Sequence, residues 1–308
     1  MTTQGSDGAR WRADGALVLL TVFWGVTFVV VKDALAFADP FTFLTLRFAV
    51  GAAVMAALAG RRMFAPGTVK KGALLSAVLF LCFAFQTVAL TDTTPSRAAF
   101  LTGLNVLFVP LFSVVLLKHI PRWGTFVGVV LAAVGLYALT RPTGGPVQAG
   151  HFLGLYLGDW LSIGCAVTYA VHILLTERFA SRDGVLGLVA VQLLGVMVLS
   201  ALCLPFVERR LSWTPSLVGA VLTCGVFASA VAIGVQTWGQ ARTTAVHAAV
   251  IFAMEPVFAS AFSVAVGREV LGPREWAGGA LILLGVLISE LGPVVWDGWR
   301  ARGRTPAA

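Results

Sequence analysis

Glu255 and Asn105 occupy matching places in two apolar runs, "IFAMEPVFASAF" and "LTGLNVLFVPLF". A carboxyl group in such a run can take and release a proton or pair with an ammonium group. Pro256 directly follows Glu255, and Pro110 lies shortly after Asn105. A proline removes one backbone donor from a helix, and the carbonyl it frees can hold a cation. The same two side chains can also serve as interhelical hydrogen bonds. Trp24 and Phe28 are spaced i,i+4 and share one helix face. Such a face, with Tyr169, can stack a ring or hold a cation over its π cloud, or it can be ordinary packing. His172 and His247 are able to titrate near neutral pH. Gln86 and Gln236 are candidate cavity-lining or gating amides. Lys32 reads as snorkelling to an interface. Arg47 reads as a structural partner of Asp33 or Asp39, and Asp159 as a helix cap.

These groups need elements to hold them, and the composition restricts which. Apolar residues form 58% of the 308-residue chain and charged residues only 12%, with a mean hydropathy of +0.89. A soluble domain carries about one quarter charged residues, so the chain is expected to lie in a bilayer. Windows of about 20 apolar residues, the length that crosses hydrocarbon, fall near 16–36, 41–60, 72–91, 97–117 and 123–140. Five more fall near 157–176, 185–206, 215–239, 245–266 and 275–293. The Gly/Pro-rich interval between the two sets divides the chain. Residues 1–15 are a tail, 16–140 a first unit, 141–152 a connection, 153–293 a second unit and 294–308 a basic tail.

The two units echo each other. "QTVALTDTTPSRAA" at 86–99 returns as "QTWGQARTTAVHAA" at 236–249. Extending that register to 135 and 285 matches about 13 of 50 positions, against roughly four or five by chance. An odd number of spans in each unit makes the second enter from the opposite side. The expected fold is an all-α membrane protein of ten transmembrane helices, built as two inverted five-helix repeats. Secondary carriers use that plan, with the substrate site near the midplane between the repeats. "GVVLAAVG" (128–135) and "GGALILLG" (278–285) place small residues where helices pack closely, within the chain or in a dimer.

About fourteen of the 22 Lys and Arg residues fall on the side of the termini and about six on the other, which places both termini in the cytoplasm. The net charge of +8 is therefore a topology signal rather than a nucleic-acid surface. The four cysteines lie singly in apolar runs, so no metal site or CxxC redox motif is expected. Neither GxxxxGK[ST], HExxH nor GxSxG occurs, which argues against ATP-driven transport and against an enzyme.

"FWGVTFVVVKDALAFADPFTFLTLRF" (23–48) resembles the opening of EamA-type transporters of the drug/metabolite transporter superfamily. The residues that carry this are Trp24-Gly25, Phe28, Lys32, Pro40 and Arg47-Phe48. "GDWLSIGCAVTYAV" (158–171) resembles the start of the second repeat in that family, and residues 255–289 resemble its end. The resemblance implies an inner-membrane carrier of small metabolites, often amino acids, with alternating access around a central cavity. The bacterial subgroup exporting aromatic amino acids and paraquat-type cations shares this length and layout. The expected partners are a small-molecule substrate and the lipid bilayer, with no cofactor, in a monomer or weak homodimer. The expected substrate-binding residues are Trp24, Phe28, Gln86, Asn105, Tyr169, His172, Gln236, His247 and Glu255. Rival readings are a carrier of another metabolite or a cationic drug, a passive channel, or a membrane-embedded enzyme.

Overall fold

A computed structural model describes residues 4–117, 123–140, 155–181 and 184–302. The expected connection over 141–152 lies outside the described residues. The helices are α1 (Gln4–Ala34), α2 (Pro40–Ala59), α3 (Thr68–Asp92), α4 (Pro95–Thr102), α5 (Asn105–Leu117), α6 (Trp123–Thr140), α7 (Leu157–Phe179), α8 (Val185–Cys203), α9 (Pro215–Thr223), α10 (Ala232–Gln240), α11 (Ala245–Phe252), α12 (Glu255–Ala265) and α13 (Pro273–Arg302). Seven stretches among the described residues are long and apolar enough to cross a membrane, from Gly15–Ala34 to Pro215–Gln240. No strand occurs among those residues. An isolated bridge joins Ala38 and Leu211.

The chain punctuates these helices with a repeated device. Asp39, Thr94 and Thr214 each precede a proline and accept a backbone N–H from the first turn of the helix that follows. Proline at the first helical position lacks only a donor that would have no partner anyway, so the pair both ends one segment and starts the next.

Two apolar stretches are interrupted. The α4–α5 turn breaks at Gly103–Leu104, inside the apolar stretch Pro95–Val115. The α11–α12 turn breaks at Ala253–Met254, just before Pro256 removes the donor that would have continued the ladder. Asn105 and Glu255 are therefore the first residues of α5 and α12. Between α9 and α10 the helix widens into a π-helical stretch, Cys224–Val231.

Helix pairing is reciprocal. α1 packs on α10 and α12, α7 packs on α3 and α5, α2 packs on α8, and α6 packs on α13. The last contact is set by glycine. A Cβ on Gly135 would meet the Gly278 carbonyl at 2.6 Å, and one on Gly285 would meet the Gly128 carbonyl at 2.6 Å. The two glycine runs thus face each other within one chain.

Hydrogen bonds gather the loops into two sets. At one end Asp33 pairs with Arg268 at 2.6 Å, Asp39 N–H donates to the Arg210 carbonyl, Arg97 pairs with Asp159, and Glu269 accepts from Ser96 and Ser263. Lys32 Nζ donates to the carbonyls of Leu90 (2.6 Å) and Thr93 (3.1 Å), so it caps α3. At the other end Ala245 N–H donates to Glu177 at 3.0 Å.

Candidate functional site

Helices α1, α2, α3, α4, α7, α10 and α12 surround a small cavity. α1 contributes Trp24, Thr27 and Phe28, α2 contributes Arg47, and α3 contributes Cys82, Phe83 and Gln86. Thr102 of α4, Tyr169 of α7, Ile233 of α10 and Glu255 of α12 complete the wall.

Trp24, Phe28, Phe83 and Tyr169 give the wall its aromatic surfaces. Trp24 meets Tyr169 edge-on at 5.9 Å and Phe252 at 5.5 Å between ring centroids, while Phe48 meets Phe83 at 5.0 Å. Edge-to-face pairs hold rings in fixed orientations, which gives the cavity a defined shape. Trp24 Nε1–H donates to the Ala228 carbonyl at 3.3 Å, so its ring is anchored at the polar edge too.

Two ionisable groups, Arg47 and Glu255, stand in the same wall. Arg47 is 2% exposed. Its Nε donates to Ser229 Oγ at 2.8 Å and its Nη2 to the Ala228 carbonyl at 3.2 Å. Its guanidinium lies 4.6 Å from the Phe83 ring centroid and 5.3 Å from that of Phe48. Both acceptors come from the π-helical stretch, which presents the Ala228 carbonyl to Arg47 and Trp24 together. Such π turns concentrate at functional sites. The expectation that Arg47 neutralises Asp33 or Asp39 does not hold. Asp33 is taken by Arg268, and Asp39 by the backbone of Phe41, Thr42 and Arg210.

Glu255 is 7% exposed, and its carboxyl group has no hydrogen-bond or ion-pair partner among the described residues. Two of its neighbours in the wall carry buried polar atoms with no hydrogen-bond partner, Thr102 Oγ1 and Tyr169 OH. A buried polar group left unpaired costs about 1–3 kcal/mol.

Of the residues named from sequence, Trp24, Phe28, Gln86, Tyr169 and Glu255 line this cavity. Asn105, His172 and Gln236 stand outside its lining. Asn105 Nδ2 donates to the Thr102 carbonyl at 2.9 Å, which ties the helix break together, and its Oδ1 is unpaired. His172 Nε2 meets Gln192 Oε1 at 3.0 Å, and its ring lies against Tyr169, centroid to centroid 6.1 Å. Gln236 Nε2 donates to Gln240 Oε1 at 3.1 Å, and Gln240 passes the chain on to the Ile173 carbonyl. The side chain of His247 lies outside the described residues.

Sequence reading missed Arg47, Thr27, Cys82, Thr102 and Ile233 as cavity residues. A signal existed for some of them. Thr27 shares the face of Trp24 and Phe28, and Cys82 lies one turn before Gln86. Arg47 carried none, because a charge one turn or two into a span reads first as an interface anchor. Among the described residues no group of three or more His, Cys, Asp or Glu side chains could hold a metal ion.

The family described as "EamA-like transporter family" matches the chain twice, over residues 11–141 and 156–291. An uncharacterized transporter of Archaeoglobus fulgidus is 33% identical over 288 residues, which cover 93% of this chain and 89% of the relative. The uncharacterized transporter YwfM of Bacillus subtilis is 25% identical over 287 residues, covering 90% of this chain and 93% of the relative. A solved structure described only as "Crystal structure of protein" has a TM-score of 0.71 at 22% identity, with 96% of this chain and 99% of that one covered. At that identity the likeness is one of fold.

Proposed function

The chain belongs to the EamA-like transporter family of multi-pass membrane proteins, and on that premise we propose that it is a secondary carrier exporting aromatic and other neutral amino acids. The observation that carries this reading is Arg47 and Glu255 in the wall of one aromatic cavity, neither of them engaged in an ion pair. A free amino acid has a carboxylate for the guanidinium, an ammonium group for the Glu255 carboxylate and a side chain for the rings. Desolvated charge pairs of that kind contribute strongly to specificity because a ligand lacking one charge leaves a buried partner unpaired. A paraquat-type dication would meet Arg47 at close range, so the cation-carrier reading ranks second.

The proposed architecture is ten spans in two inverted five-helix units, 16–140 and 153–293. The double family match supports it. So does the reciprocal packing, since exchanging α1, α3 and α5 for α7, α10 and α12 turns each contact into another observed contact. The opposed ends of α4 and α11 fit as well: Ser96 bonds at one face with Glu269, and Ala245 at the other with Glu177. Alternating access would then be a rocking of the units around the cavity. The Lys and Arg distribution supports an inner-membrane location with both termini cytoplasmic. The glycine faces of α6 and α13 are consumed by each other, so a monomer suffices as the working unit.

The test is competition in proteoliposomes holding the purified protein. Labelled phenylalanine should move, and unlabelled phenylalanine should compete with it. Phenethylamine lacks the carboxylate and 3-phenylpropionate lacks the amine, so each should compete at least ten-fold more weakly. Equal competition by either compound overturns the zwitterion reading, and no phenylalanine flux at all overturns the substrate class.

A further inference from the structure

Cys82 of α3 and Cys165 of α7 are free thiols with their Sγ atoms 3.5 Å apart. The chain separates them by 83 residues, and they sit on helices of different units. Cys165 is fully buried, whereas Cys82 forms part of the cavity wall. Neither takes part in the zwitterion reading. A disulfide has an S–S length of about 2.05 Å, so the two sulfurs must approach by about 1.5 Å for the bond to form.

We propose that Cys82 and Cys165 form an oxidisable dithiol that couples into a disulfide, bolts α3 to α7 beside the cavity and stops the carrier. The oxidant is a peroxide, small and uncharged, which enters by the cavity and meets Cys82 first. The Cys82 sulfur attacks one peroxide oxygen, the O–O bond breaks, and water leaves with Cys82 as a sulfenic acid. Cys165 sulfur then attacks Cys82 sulfur, the S–O bond breaks, and a second water carries off the thiol proton. In sum two thiols and one hydrogen peroxide give one disulfide and two waters. A thiol reductant reverses it.

The consequence follows from where the bond forms. α3 and α7 pack along their length, and inter-unit motion requires such contacts to slide. A covalent tie at the cavity removes that freedom.

The experiment uses the full-length protein with Cys203→Ser and Cys224→Ser, so only the pair remains. After hydrogen peroxide treatment, mass spectrometry of the digest should find the peptides of Cys82 and Cys165 joined. The thermal unfolding midpoint should rise by about 5 °C and return on adding dithiothreitol. Phenylalanine flux in proteoliposomes should fall at least five-fold and recover with the reductant. Failure to find the joined peptide overturns the dithiol, as does a midpoint that does not move. A joined, stabilised protein that still carries phenylalanine at the original rate overturns the block. The flux arm rests on the amino-acid reading. If untreated protein carries no phenylalanine, that reading has failed, and the joined peptide and the midpoint decide the dithiol by themselves. The single variants Cys82→Ser and Cys165→Ser should each abolish the joined peptide.

Discussion

A Cβ atom on Gly103 would stand 2.8 Å from Pro256 Cγ, so the break between α4 and α5 lies directly against the break between α11 and α12. Both interruptions meet beside the cavity that Thr102 and Glu255 help to line. Glycine is what lets a rigid proline ring approach one helix end this closely.

Gly103→Ala should therefore destabilise the protein by about 1–3 kcal/mol through overpacking. A pyrrolidine ring has no flexible end that could swing aside. A thermal melt in detergent checks this, and an unchanged midpoint would show that the two breaks separate readily.

Arg47→Gln should reduce phenylalanine transport by about 30-fold, the effect of about 2 kcal/mol for losing one partner of a desolvated charge pair. It should leave competition by phenethylamine unaltered, because that compound never engages the guanidinium. Glu255→Gln should give the mirror result, weakening phenylalanine similarly while sparing 3-phenylpropionate. Concentration-dependent uptake with both analogues measures the pattern. A general loss with every compound would point to folding instead.

Glu269→Gln should loosen the face on which its carboxylate holds Ser96 and Ser263. These bonds tie the start of α4 to the end of α12, so weakening them should favour opening there. The variant Ala99→Cys, one turn along α4 from Ser96 in a background free of other cysteines, should then react with a membrane-impermeant maleimide several-fold faster than with Glu269 intact. Equal rates would mean that this tie does not hold the face shut.

Asp39 links stability to pH. Burial pushes its carboxyl group upward, but hydrogen bonds from Thr42, Arg210 and Phe41 together outweigh burial and hold it below the ordinary value of 3.8. A carboxylate depressed in the folded state contributes stability that is fully present above its unfolded value and is lost as pH falls through the folded one. Unfolding in detergent should therefore show a loss of stability below about pH 4, and Asp39→Asn should flatten that loss. At neutral pH, Asp39→Ala should cost about 0.5–2 kcal/mol, as for other helix caps.

Much of this was legible in one dimension because the bilayer makes length and apolarity decisive. The stretch 157–176 became α7 (Leu157–Phe179), and 123–140 became α6 (Trp123–Thr140), nearly to the residue. Other stretches were read too simply. The windows 97–117 and 245–266 each contain a broken helix, and the π-helical turn at Cys224–Val231 left no composition signal at all. The proline at 256 hinted at one break. Pro110 hinted at the other, although that break falls at Gly103–Leu104, where Pro256 packs against it.

The sequence by itself determined the membrane class, the helical stretches, the echo between 86–99 and 236–249, and the polar and aromatic residues held in apolar runs, including Glu255, Trp24, Phe28, Gln86 and Tyr169. Each follows from hydrophobicity, spacing or self-similarity, which are properties of the chain read along its length. Only the tertiary structure decided which of those polar residues meet. It drew Arg47 to Ser229 and Ala228 rather than to an acid, turned His172 toward Gln192, and set Cys82 beside Cys165. Those pairings join residues from opposite halves or separate helices. They depend on helix rotation and crossing, which apolar runs without a polar face leave unspecified.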